Sequence, residues 1–293
     1  MKYMGVRIEV TPDHSFCPGV DRAIRITKDA LMEKGEPTYS VGPLIHNPEV
    51  VSRLEMLGLK SFDPAGDYPD LDGADVIIRS HGIDTETEAK LKLRGAVLLD
   101  ATCPTVKRAQ EAARELAESG CEVIVLGSES HPEVRSIVGR AGAPVTVIET
   151  SADARRWAQG EGHPPRRVGI VCQTTVPREL LDSVTSIIEA SAGRVEVQDT
   201  ICKAVSRRME EAVELARGVD LMIVVGGRNS SNTAHLAETC REAGVRTHHV
   251  EDSSEIQAEW LNGVESVGVT GGASTPDWQI DETVARLEEI AGD

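Results

Sequence analysis

Three times the chain reads Cys-x-x-Val-x-Arg: Cys17-Pro-Gly-Val20-Asp-Arg22, Cys103-Pro-Thr-Val106-Lys-Arg108 and Cys202-Lys-Ala-Val205-Ser-Arg207. Each copy follows a short polar lead containing Asp13, Asp100 or Asp199, and each opens a helix-like run closed by Gly35, Gly120 or Gly218. The pattern places each thiol at a helix N-terminus, where unpaired N–H groups and the helix dipole favour the metal-binding thiolate. A length of 293 residues suggests about two domains, but a threefold repeat outranks length and predicts three α/β units. The expected lobes are 18–102, 103–198 and 199–293, the last completed by an N-terminal strand within 1–17. Three such sulfurs from three similar units can converge on one axis.

Six cysteines with no short Cys-x-x-Cys pair speak against a zinc ribbon, a dithiol redox pair and a small disulfide scaffold. Cys121 and Cys172 lie in or beside apolar strand-like runs and Cys240 lies in a helical run, so these three read as small buried hydrophobes. A formal charge of −17 disfavours nucleic acid and anionic membrane as partners, because both need a basic face. The start of the chain lacks a signal-like apolar stretch, and no run approaches the roughly 18 apolar residues of a spanning helix. A cytoplasmic protein is expected.

Apolar runs at Val6–Val10, Val76–Ile78, Val123–Leu126, Val168–Val171, Leu221–Val225 and Val267–Val269 read as strands, and they alternate with amphipathic runs such as 106–117 and 205–216. Buried strands separated by helices indicate parallel sheets. The polar stretch from Ala152 to Pro165, with Gly160, Gly162 and two prolines, reads as an exposed connection. In parallel sheets ligand loops lie beyond the carboxyl ends of strands. That rule collects His46, His81, His131, Glu133, Thr174, Ser230, Ser231, Asn232 and Ser274. Any one of them alone would be a cap or a solvated loop residue; their recurrence in three units indicates a shared pocket.

Three matching thiols without a fourth suit a 4Fe-4S cluster with one open iron, which is both an electron donor and a Lewis acid. The hydroxyls, amides and imidazoles of the loops suit phosphate oxygens. Glu133, in His131-Pro132-Glu133, is a candidate proton donor.

The chain resembles the 4-hydroxy-3-methylbut-2-enyl diphosphate reductase family over essentially its whole length. The resemblance is carried, in family order, by Phe-Cys17-Pro-Gly-Val-Asp-Arg-Ala-Ile, Ile-His46-Asn, Arg-Ser-His81-Gly, Asp-Ala-Thr-Cys103-Pro, His131-Pro-Glu133-Val, Gln-Thr174-Thr, Thr-Ile-Cys202, Ser230-Ser-Asn232 and Gly-Ala-Ser274-Thr-Pro. It implies an α/β fold of three similar lobes, with small parallel sheets arranged pseudo-threefold around a central 4Fe-4S cluster held by Cys17, Cys103 and Cys202. It implies an allylic diphosphate held by His46, His81, His131, Ser230, Ser231, Asn232 and Ser274, with Thr174 and Glu133 completing the hydrogen-bond and proton network. The implied reaction is reductive dehydroxylation to isopentenyl and dimethylallyl diphosphate, the last step of the non-mevalonate pathway, with electrons from a donor such as ferredoxin or flavodoxin. Gln110, Ser130, Ser136, Val205 and Met209 depart from the family pattern and bear on the surroundings of the site more than on its ligands. Two other readings are a sister reductase for another allylic diphosphate and a non-catalytic iron–sulfur sensor. A substrate panel separates the first, and a cluster spectrum indifferent to diphosphate identifies the second.

Overall fold

The computed structural model describes residues 5–33, 37–160 and 167–292. Its first stretch runs β1 (Arg7–Val10), α1 (Pro18–Met32), β2 (Thr38–Val41), α2 (Pro48–Met56), β3 (Lys60–Phe62), β4 (Asp75–Ile78), α3 (Thr85–Leu93) and β5 (Val97–Asp100). There follow α4 (Pro104–Glu118), β6 (Glu122–Leu126), α5 (Pro132–Arg140), β7 (Val145–Ile148), α6 (Ser151–Ala158), β8 (Val168–Cys172), α7 (Arg178–Glu189) and β9 (Val195–Gln198). The chain ends with α8 (Lys203–Ala216), β10 (Leu221–Val225), α9 (Ser231–Glu242), β11 (Arg246–Val250), β12 (Ser266–Gly271) and α10 (Asp277–Gly292).

The strands form three four-stranded parallel sheets, ordered β3-β2-β4-β5, β7-β6-β8-β9 and β11-β10-β12-β1. The three orders match strand for strand, and the third sheet takes its fourth strand from the beginning of the chain, with Ile8 opposite Val267 and Val10 opposite Val269. The described residues divide into two compact units. One comprises Met1–Asp21, Ile45–Arg53 and Lys203–Asp293 and contains the third sheet; the other comprises Arg22–Leu44 and Leu54–Cys202 and contains the first two.

Central strands buried on both faces explain the unbroken apolar runs, because helices cover each side. In the second sheet Val123, Val125 and Val171 pack with Ala109, Ala113 and Leu116 of α4 and Ile137 of α5. The opposite face sets Ile124, Ile170 and Cys172 against Leu181, Val184 and Ile188 of α7. Each fully buried side chain of this size contributes about 1.5–3 kcal/mol. The third sheet repeats the plan, with Met222 and Val224 facing Ala212 and Leu236, and Ile223 and Val269 facing Ile280 and Leu287. A Cβ on Gly169 of β8 would lie 2.7 Å from Leu116 of α4, and one on Gly268 of β12 would lie 3.0 Å from Leu215 of α8. Glycine at the same place in two sheets lets the cysteine-led helices α4 and α8 lie close to them.

The expected connection from Ala152 to Pro165 is corrected in its first half, where Ser151–Ala158 is the helix α6. Thr150 and Asp153 form a capping box, and buried Ala154 with half-buried Trp157 joins the core, so local capping and packing override the polar composition. Gly162, Pro164 and Pro165 lie outside the described residues, as does Gly35. At Gly120 the expected helix stop is observed. Its φ of 78° is the left-handed conformation, and the next N–H, that of Cys121, returns to the Leu116 carbonyl. Among the described residues no helix is long and apolar enough to cross a membrane.

Candidate active site

Each repeated cysteine immediately precedes its helix, α1, α4 or α8, and all three are half-buried. Each is also tied by its own backbone N–H to a strand-end loop: Cys17 to the Ala273 carbonyl at 3.0 Å, Cys103 to that of Ser80 at 2.9 Å, and Cys202 to that of Thr174 at 2.9 Å. In all three cases the acceptor is the second residue after a strand, β12, β4 or β8. The strand leading to the cysteine, β1, β5 or β9, is hydrogen-bonded to that same strand. Sheet pairing therefore fixes the thiol, with the helix beginning where the sheet ends.

The rest of the repeated signature has structural uses. Val20, Val106 and Val205 are buried. Arg22 donates to the Asp100 and Thr102 carbonyls that lead into Cys103, and Arg207 pairs with Asp13 ahead of Cys17 at 3.2 Å. Arg108 is exposed, and Asp199 pairs instead with Arg178. Cys121, Cys172 and Cys240 are buried, and burial raises the thiols of Cys172 and Cys240, the latter to about 11.

Glu133 lies in the first turn of α5 and is 3% exposed. The Thr174 N–H donates to its Oε1 at 2.6 Å and the Thr174 hydroxyl to its Oε2 at 3.1 Å. Burial outweighs these bonds and pushes its carboxyl up to about 7. His131 caps α5 by accepting the Glu133 N–H on Nδ1, so its neutral imidazole carries the proton on Nε2. The His131 and His81 rings meet edge to face with centroids 5.6 Å apart. The Ser136 hydroxyl lies 2.8 Å from the carbonyls of both His81 and Glu133 and accepts from Gln110 Nε2 at 3.0 Å. Gly82, at φ +74°, follows His81 so closely that a Cβ would stand 2.5 Å from Gln110 Nε2.

In the other unit Asn47 caps α2 through Val50 N–H and donates to the Ser274 carbonyl at 3.0 Å and to Gln279 Oε1 at 2.8 Å. That fixes His46 beside the loop after β12. The His46 carbonyl would also lie 2.7 Å from a Cβ on Gly227, so the loop after β10 needs glycine there. Ser230 caps α9, while Ser231 is exposed. Asn232 is buried, and neither its Oδ1 nor its Nδ2 has a hydrogen-bond partner among the described residues. An orphaned amide of this kind costs about 1–3 kcal/mol and marks a place for a polar ligand.

The model of the LytB protein family matches residues 8–288. The chain belongs to the LytB family. Among its LytB relatives, the 4-hydroxy-3-methylbut-2-enyl diphosphate reductase of Pelobacter propionicus is 43% identical over 97% of this chain and 99% of its own length. That of Geobacter sulfurreducens is 44% identical over 94% of each. A solved structure of (E)-4-hydroxy-3-methyl-but-2-enyl diphosphate reductase, the terminal enzyme of the non-mevalonate pathway, superimposes with a TM-score of 0.71 at 39% identity, covering 97% of this chain and 99% of that one. The fold is shared with the E-1-hydroxy-2-methyl-but-2-enyl-4-diphosphate reductase of Plasmodium falciparum, at a TM-score of 0.88 and 24% identity over 97% of this chain and 88% of that one.

Within the LytB chain one unit gathers Glu133, Thr174, His81 and His131 with the main-chain anchors of Cys103 and Cys202, and the other gathers His46, Ser274 and the anchor of Cys17. The supporting residues Asn47, Gln279 and Arg208 were not legible as such. Asn47 before Pro48 is an N-cap signal, but Gln279 and Arg208 sit inside helices with nothing local to distinguish them. Arg208, 4% exposed, donates to the Gly271 and Ser15 carbonyls, bracing the loops on either side of Cys17.

Proposed function

We propose that this chain is a cytoplasmic reductase that converts (E)-4-hydroxy-3-methylbut-2-enyl diphosphate to isopentenyl and dimethylallyl diphosphate. The observation that carries the reading is Thr174. Its N–H and hydroxyl hold the buried Glu133 carboxyl, and its carbonyl holds the N–H of Cys202. One residue thus links a proton source to a thiol. Three half-buried cysteines with identical anchoring, set apart from three buried ones, fit a cluster with three protein ligands, Cys17, Cys103 and Cys202. When bound, a 4Fe-4S cluster of that kind supplies two electrons singly and a Lewis-acidic iron.

The substrate gains two electrons and two protons and loses water. Glu133, with its carboxyl near 7, is partly protonated at neutral pH and suits delivery of the proton that leaves with the hydroxyl oxygen. Thr174 orients it. His46, His81, His131, Ser230, Ser231, Asn232 and Ser274 bind the diphosphate, and the unsatisfied amide of Asn232 is the strongest support for a polar ligand there. The electron donor is a carrier such as ferredoxin or flavodoxin. The functional lobes run 18–102, 103–198 and 199–293 with the N-terminal strand, a division supported by each span holding the strands of one sheet.

Anaerobic reconstitution followed by absorbance and electron paramagnetic resonance, with and without the diphosphate, tests this reading. Cluster absorbance and a spectrum perturbed by the substrate are expected; bound iron with a spectrum indifferent to it sinks the proposal.

A further inference from the structure

A cavity of about 270 Å³ lies between α3 and the start of α5, lined among others by Arg79, Asp84, Glu86, Lys90, Arg135 and Ser136. Its carboxylates are already engaged. Asp84 caps α3 by accepting from the Thr87 N–H at 2.7 Å and from the Thr87 hydroxyl at 2.9 Å, and Glu86 pairs with Lys90 at 2.7 Å. Arg79 and Arg135 are left, and among the described residues neither has a carboxylate within ion-pair distance. Arg79 Nε is buried without a hydrogen-bond partner. Burial first, and then the charge of Arg135, lowers the Arg79 guanidinium to about 10, although Asp63 opposes this. It stays cationic at neutral pH. In a chain of net charge −17, two guanidiniums facing one polar cavity with no ion-pair partner among the described residues call for an anion from outside.

We propose that this cavity binds a phosphate-class oxyanion between Arg79 and Arg135, a site that uses none of the residues assigned above to the substrate diphosphate. Arg79 immediately precedes Ser80, the acceptor for Cys103, and His81; Arg135 shares α5 with Glu133 and Ser136. A bound oxyanion bridges the two segments that carry His81 and Glu133.

Inorganic phosphate titrated calorimetrically into the cluster-loaded protein under anaerobic conditions tests the site. Wild type and Asn232→Ala, in which the separate diphosphate site is weakened, are both expected to bind it. Arg135→Gln in either background weakens that binding about 10-fold or more, and Arg79→Gln does the same. Arg79 is half-buried with its Nε enclosed, and its replacement can unfold the protein, so the exposed Arg135 decides the matter alone. Unchanged phosphate affinity in Arg135→Gln overturns the proposal. So does capture of a Glu-rich peptide by wild type with no uptake of phosphate, which would assign the two arginines to a protein partner.

Discussion

Glu133 is held in a form that folding favours when it is protonated. Its folded value, about 7, exceeds the ordinary 4.5, so its contribution to stability is complete at low pH and is lost as pH rises from about 4.5 through 7. Glu133→Gln should therefore match wild type near pH 4.5 and exceed it by up to about 3 kcal/mol at pH 8, read from denaturant titrations across that range. The same variant loses the transferable proton, and turnover with excess reductant should fall about 10²- to 10⁴-fold while substrate still perturbs the cluster spectrum. Near-normal turnover would move proton delivery to another group. Asn232 makes the complementary case. Asn232→Ala removes two buried polar atoms that have no partner among the described residues, so it should leave stability unchanged or raise it by about 1 kcal/mol, yet weaken diphosphate binding about 10- to 150-fold. A loss of both together would mean that the amide serves the fold.

Among the elements, the link from α4 to α5 makes a pair of Gln110 and Ser136, two positions that stand apart from the resemblance in the sequence. Gln110 donates to Ser136, whose hydroxyl reaches the His81 and Glu133 carbonyls. Ser136→Ala leaves the Gln110 amide unsatisfied and should cost about 1–3 kcal/mol; Gln110→Leu on top of it should recover part of that, giving a coupling of about 0.5–3 kcal/mol in a double-mutant cycle. Additive losses would show that the two act separately. The elements themselves were legible where both faces are buried, as in β6, β8 and β10, and at the cysteines, where a repeated signature replaced any need to see the sheet. They were not legible in α3, whose sequence Thr-Glu-Thr-Glu-Ala-Lys-Leu-Lys-Leu buries only Thr87 and Leu91, or in β11, whose Arg-Thr-His-His-Val is half-exposed at a sheet edge. Tertiary packing decides both. The candidate site loops were legible as loops because they follow buried strands. The Ser136 bridge was not, because no spacing in the sequence marks α5 as lying against α4.

Across the molecule one sheet plan is used three times, and the third use borrows β1. Removing the chain through Val10 would strip β12 of one of its two partners and leave the core without Val6 and Ile8, so the truncated protein should lose its cooperative thermal transition, followed by circular dichroism. Retention of that transition would show that β1 is dispensable. The cysteine anchors deserve a different kind of test, because every one runs from a main-chain N–H to a main-chain carbonyl. Substitution of a side chain cannot delete such a bond, short of proline at the cysteine itself, whereas a change in chain length moves the acceptor out of register. The two-residue step from each strand end to its acceptor therefore forms a ruler. Sequence drift at Ser80, Ala273 or Thr174 leaves the thiols in place, while inserting one residue after Ile78, Cys172 or Gly271 displaces a thiol in a protein whose composition is otherwise untouched.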